Sequence, residues 1–242
     1  MNKAMYAAAS GMAAEQAKLD VIAGNLANSD AVAFKGSAME FAELTDGSQA
    51  LGTTPRSSYI RFDQGKLVKG GGPFDLAIEG TGFFTVRRPD GETVYTRDGR
   101  FERASDGSLR SADGDTLPGV KLPADASNVG VAANGTVTGD TGKRKGETFG
   151  HIALALFAAP DALRSLGGTA FAATQASGPA KMTPAGAHGA GTLAFGMLEK
   201  SNVSIMTEMM EILGAQRAFE ANSKGVQAAD EMQRIANNIN RS

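Results

Sequence analysis

Residues 73–114 read PFDLAIEGTGFFTVRRPDGETVYTRDGRFERASDGSLRSADG, with Asp-Gly pairs at 90–91, 98–99, 106–107 and 113–114. Asp-Gly supplies the positive φ of tight hairpin turns. The pieces between the pairs, ETVYTR, RFERAS and SLRSA, have strand length. FDLAIEGTGFFTV alternates apolar and polar residues around central glycines. VAANGTVTGD offers a further hairpin through Asn134-Gly135, and HIALALFA (151–158) reads as a closing buried strand. The stretch predicts an antiparallel β-domain, bounded at 73–188. Residues 160–196, rich in Ala, Gly, Ser, Thr and Pro, have a connector-like texture, and 189–202 are assigned as the return connector.

On the N-terminal side, residues 35–72 lose periodicity. TDGSQALGTTPRSS (45–58) is dense in turn formers, so 35–72 reads as an extended or irregular connector. Residues 4–28 read as helix: alanine-rich, without proline, and with Met5, Met12, Leu19 and Leu26 recurring every seventh residue. Residues 203–240 return to helix. Ile205, Met209, Ile212, Gln216, Phe219, Val226, Ala229, Met232, Ile235 and Ile239 fall mostly at steps of three, four or seven, and Ser201-Asn202 or Ser204 supplies the cap. The predicted fold class is α+β, with N- and C-terminal helices paired as a coiled coil and the β-domain inserted between them. Residues 1–34 and 203–242 form the coiled-coil domain.

Such helices are about 38 and about 57 Å long, more than a small β-block can cover. Burying one stripe each roughly offsets the entropy of ordering them, so the isolated pair is marginal. Apolar residues off the stripe (Met206, Met210, Leu213, Tyr6, Ala13) would pack against neighbouring copies, and methionine suits non-identical surroundings. A two-helix coiled coil that simply closes the domain accounts for the pattern equally well.

Of 242 residues, 42 % are hydrophobic, net charge is −2 and cysteine is absent. These values exclude disulfides and thiolate chemistry and give no argument for a polyanion partner. No apolar run reaches the length of a membrane span, and the alanine-rich start is read as uncleaved. His151 and His188 lie in different textures without acidic residues at ligand spacing. TGKRKGE (141–147) lacks the first glycine of a phosphate loop, and RSADGD (110–115) lacks the alternate ligands of a calcium loop. No enzyme, metal, cofactor, nucleic-acid or small-molecule function is expected. The polar cluster Gln216-Arg217-Ala218-Phe219-Glu220 contains a candidate Arg217–Glu220 pair, either a surface pair or a contact between subunits.

NLANSDAVAFKG (25–36) resembles the N-terminal signature of bacterial flagellar axial proteins, the rod, hook and hook-associated family, through Asn25, Leu26, Ala27, Asn28, Phe34 and Lys35. Ala33 stands where that signature usually has glycine, and Ala31 where it has threonine. DQGKLVKGGGPFDLAIEGTGFFTV and YTRDGRF are similar to the family's β-domain entry. Leu198-Glu199, Ser201-Asn202-Val203, Glu208-Met209, Gln216-Arg217-Ala218-Phe219-Glu220, Asn222, Lys224 and Asp230-Glu231-Met232 match its C-terminal segment.

The ending is closer to distal than to proximal rod proteins, with a proximal rod subunit or another hook–basal-body axial protein as the alternative. Outside the family, the alternative is a binding module on a coiled-coil stalk. The resemblance implies a structural subunit polymerising helically with itself around an export channel and transmitting torque to the hook. It also implies export by the flagellar type III apparatus without cleavage, and a basal-body location crossing the periplasm. Expected neighbours are proximal rod proteins, hook proteins and the surrounding rod-bushing rings. Expected assembly residues are Asn25, Leu26, Asn28, Phe34, Met209, Ile212, Gln216, Arg217, Phe219 and Glu220, with Asn25 and Asn28 setting register between helices.

Overall fold

A computed structural model describes residues 3–46 and 49–239, and the side chains of 5–45 and 52–235. The chain divides into two compact units. Unit 1 comprises 1–29, 36–61 and 203–242; unit 2 comprises 30–35 and 62–202.

Unit 1 holds the two helices, α1 (Lys3–Ala27) and α2 (Ile205–Ile239). Ser204 caps α2: its hydroxyl accepts from Thr207 N–H at 3.4 Å. The helices run antiparallel. Glu211 pairs with Lys18 at 3.2 Å, and Gly225 lies against Ala8. The packed positions on α2 are Glu208, Glu211, Ala215, Asn222, Gly225 and Ala229, at alternating steps of three and four or their sums. This seam consists of small and polar residues, which let two backbones approach closely. Of the apolar row predicted on α2, Ala229 belongs to this seam, Ile212 and Val226 are half-buried, and Ile205, Met209, Phe219, Met232 and Ile235 are exposed. Along α1, Ala14, Ile22 and Asn25 are buried, whereas Met5, Met12, Leu19 and Leu26 are half-buried.

The segment expected to be an irregular connector contains a two-stranded hairpin, β1 (Ser37–Asp46) with β2 (Gln49–Ile60), paired from Ser37↔Ile60 to Asp46↔Gln49. Register shifts at Glu40/Phe41 and Leu44/Thr45 break the alternation that would mark strands in a sequence. The hairpin rests on α1, with Thr53 N–H donating to Ser10 Oγ at 3.2 Å.

Unit 2 is antiparallel throughout its strand pairs. β3 (Leu67–Lys69) pairs with a late strand, Met197–Glu199, and β4 (Leu76–Glu79) with Thr192–Phe195. The largest sheet is built around Phe83–Arg87, Thr93–Thr96 and Thr116–Lys121. The core of the unit includes Ile78, Phe84, Val94, Phe101, Leu117 and Leu154. The 151–158 reading holds in the strand Ala153–Leu156, bonded on both sides. The 160–196 texture hides four short strands, at 164–167, 170–172, 181–184 and 192–195. At three or four residues each, they are too brief for alternation to register.

Asp90-Gly91, Asp106-Gly107, Asp113-Gly114 and Asn134-Gly135 make the expected turns, each glycine having positive φ. Asp98-Gly99 does not form such a turn. There the missing side chain admits Leu76, whose N–H donates to Gly99 O at 3.0 Å; a Cβ on Gly99 would sit 1.7 Å from Leu76 O.

Candidate assembly surface

The first three turns of α2 carry five large apolar side chains in solvent: Ile205, Met206, Met209, Met210 and Leu213 are 47–72 % exposed. They occupy the side of the helix turned away from buried Glu208 and Ala215. Phe219, Met232 and Ile235 are separately exposed further along the helix. A cluster such as that at 205–213 is the candidate interaction surface of this unit. Of the expected assembly residues on this helix, Met209, Gln216, Arg217, Phe219 and Glu220 are exposed and Ile212 is half-buried. Among the described residues, no ion pair joins Arg217 to Glu220; the helical pairs present include Arg234–Asp230 at 3.1 Å.

Asn25 is buried and serves three groups of unit 1. Its Nδ2 donates to Ser37 O at 2.8 Å and to Glu208 Oε2 at 3.3 Å, while Oδ1 accepts from Ser37 N–H at 2.8 Å. Glu208 also receives Arg61 at 3.1 Å. Asn25 therefore fastens α1 to the foot of the hairpin and to the start of α2. Asn28 has a local role: its Nδ2 donates to Gly24 O at 2.8 Å. Leu26 is half-buried, as is Phe34 in unit 2.

Unit 2 contains a buried charge cluster that the sequence reading did not single out. Glu199 Oε1 accepts from Lys35 Nζ at 2.7 Å and from Gly65 N–H at 2.8 Å; Oε2 accepts from Arg97 at 3.3 Å. Lys35 also donates to Asp63 O at 2.8 Å, and Arg97 to Gly80 O at 2.8 Å while lying 5.4 Å from the Phe83 ring centroid. Burial pushes the Lys35 ammonium down from its ordinary range, opposed by Glu199. Arg97 is lowered for the same reason. The available signal was slight: the three charges stand in the short motifs FKG, YTRDG and LEKSN, of which the last two hold a further charge each.

An open depression of about 750 Å³ in unit 2 is lined by Arg103, Asp106, Lys121 and Pro123 among others. Its carboxylate is held anionic: the Ser108 hydroxyl and N–H lower Asp106 to about 2. Thr136 lies 3.4 Å from His151 Nδ1, and His188 sits in a positive-φ turn. Among the described residues no three His, Cys, Asp or Glu side chains gather as a metal site, and no helix is long and apolar enough to cross a membrane.

Residues 5–35 match the family described as flagella basal body rod protein, 77–139 the D1 domain of flagellar hook protein FlgE/F/G, and 195–239 the C-terminal region of flagellar basal body rod FlgEFG proteins. The chain is 36 % identical to the flagellar basal-body rod protein FlgG of Borreliella burgdorferi, over 100 % of both chains. It is 35 % identical to FlgG of Caulobacter vibrioides, over 95 % of this chain and 96 % of that one. The basal-body rod protein FlgF of Mesorhizobium japonicum is 31 % identical over 91 % of this chain and 90 % of its own.

Proposed function

We propose, from the premise that this chain belongs to the flagellar basal-body rod protein family, that it is a FlgG-like structural subunit of the distal rod. It polymerises helically with itself around the export channel and transmits torque toward the hook. Its terminal helices supercoil as a coiled coil at the inner wall. Met209, Ile212, Gln216, Arg217, Phe219 and Glu220 meet neighbouring subunits, while Asn25, Leu26, Asn28 and Phe34 hold the segment leaving α1. The subunit reaches the basal body, crossing the periplasm, through the flagellar type III apparatus without cleavage. Proximal rod proteins, hook proteins and the rod-bushing rings are its neighbours. Contacts of this heterologous kind do not close on themselves, so they generate filaments. The FlgF-like proximal reading has weaker support, since the FlgG relatives named above share more identity over more of the chain.

The observation that carries this reading is the exposed apolar row of α2 on a chain similar end to end to rod proteins. The double substitution Met206→Glu/Met210→Glu, expressed in a strain lacking the gene, tests it. The expected result is a normally folded subunit by circular dichroism, with basal bodies that lack the distal rod and hook. Normal rods and swimming would reject the row as an assembly surface. The stalked-module alternative predicts protease-resistant termini in the dilute monomer; the rod reading predicts cleavage there and protection on assembly.

A further inference from the structure

Residues 30–35 belong to unit 2, although the chain on both sides of them belongs to unit 1. Within unit 2 this six-residue strap lies along 199–202. Ala33 N–H donates to Glu199 O at 2.7 Å, Ser201 N–H to Ala31 O at 2.9 Å and Asn202 N–H to Phe34 O at 3.3 Å. Lys35, the last strap residue, inserts its fully buried ammonium beside the fully buried Glu199 carboxylate.

Two features oppose docking. Ala33 is held at φ 57°, the left-handed region that costs an alanine energy. The site also encloses two cations, Lys35 and Arg97, against the single buried carboxylate of Glu199; the exposed Asp63 carboxylate acts on Lys35 only from the margin. Removing charge from water is costly, and the ion pair only partly returns that cost. Release of the strap would rehydrate Lys35 and relax Ala33. Glu199 would keep Arg97 and the Gly65 N–H. None of the core strands around Phe84 and Leu154 depends on the strap's hydrogen bonds.

We propose that residues 30–35 form an ion-latched strap that undocks from 199–202 as a local event, without opening the sheet. Glu199 is the positioning residue of this latch, acting through Lys35. The device would let the segment between α1 and the hairpin be held or freed while unit 2 stays folded. The proposal concerns the single subunit and stands or falls independently of the assembly reading.

Native-state hydrogen exchange on the full chain tests it, with low urea as the variable. Local opening exposes little surface, so exchange at Ala33, Ser201 and Asn202 is expected to be nearly independent of urea. Those amides should also be at least about tenfold less protected than the amides of Phe83–Arg87 and Thr93–Thr96. Glu199→Gln is expected to lower strap protection by a further factor of about ten or more, leaving the sheet amides within about threefold. Lys200→Ala, which removes only the exposed Asp30 pair, should leave both unchanged. A strap that shares the urea slope of the sheet amides in the unsubstituted chain overturns the proposal, even if Glu199→Gln does not fold. So does a Glu199→Gln effect of equal size on strap and sheet.

Discussion

Asn25 and Asn28 stand three positions apart in one motif, yet the structure gives them unequal work. Replacing Asn25 by alanine strands Ser37 N–H and Ser37 O, which are partly buried, and one buried oxygen of Glu208. Unsatisfied buried groups of this sort cost about 1–3 kcal/mol each, partly relieved by water, so Asn25→Ala is expected to destabilise unit 1 by about 2–4 kcal/mol. Asn28→Ala removes one bond to a carbonyl in the last turn of α1 and should cost less than about 1 kcal/mol. Urea midpoints by far-UV circular dichroism separate the two.

Ala33 makes the opposite case, since the alanine stands where the resembling signature has glycine. Relief of left-handed strain, about 1–2 kcal/mol, exceeds the unfolded-state entropy that glycine adds, so Ala33→Gly should raise stability by about 0.5–1 kcal/mol. The same urea titration checks it.

Lys35 gives a pH dependence with a definite sign. Its folded pKa is lowered from 10.5, chiefly by burial. The unfolded chain therefore holds this proton in an alkaline window, below 10.5, where the folded chain has lost it. Stability contributed through Lys35 rises with pH across that window. Relative to Lys35→Met, the unsubstituted chain should gain stability as pH rises toward 10.5; a loss would contradict the assignment.

At the scale of elements, the turns and helices were legible and the hairpin was not. Asp-Gly chemistry located the turns at 90–91, 106–107 and 113–114 because positive φ is a local demand that a dipeptide answers. At 98–99 the same dipeptide answers a tertiary demand, the close approach of Leu76, which no local reading reveals. The two uses are separable: Gly91→Ala meets open space and pays only backbone strain, about 1–2 kcal/mol. Gly99→Ala strikes a backbone carbonyl and should cost more, about 3 kcal/mol or above, because the sheet must shift. Thermal denaturation of both variants decides the ranking.

On α2 the apolar period was visible, but period alone does not say which face meets the rest of the same chain. Most contacts of α2 within unit 1 fall to Glu208, Glu211, Ala215, Asn222 and Gly225, small or polar residues that carry little hydrophobic signal. The charge cluster escaped for a related reason: Lys35, Arg97 and Glu199 are distant in sequence, and only the fold brings them together.

For the whole molecule, the contrast between the interiors of the two units sets the order of unfolding. Among the described residues, large aliphatic side chains fully enclosed in unit 1 are few, Ile22 and Ile60 foremost, beside several alanines. Unit 2 encloses Phe84, Phe101, Leu76, Ile78, Leu109, Leu117 and Leu154. Apolar burial is the main source of stability, so heating the monomer should remove helical ellipticity first and the near-UV aromatic signal later. Assembly through the exposed row of α2, as proposed, would raise the first transition selectively. Coincident transitions in the dilute monomer would count against this order.

The thioethers of Met206, Met209 and Met210 point into solvent, and Met182 on unit 2 is comparably open. Thioethers so placed take up oxygen from mild peroxide, turning grease into a polar sulfoxide. A subunit oxidised before incorporation would therefore arrive blunted, whereas one already stacked through this row would be shielded there, and Met182 would report whether unit 2 is covered as well. Mass shifts at these four sulfurs would provide a chemical record of whether a given molecule had joined its neighbours.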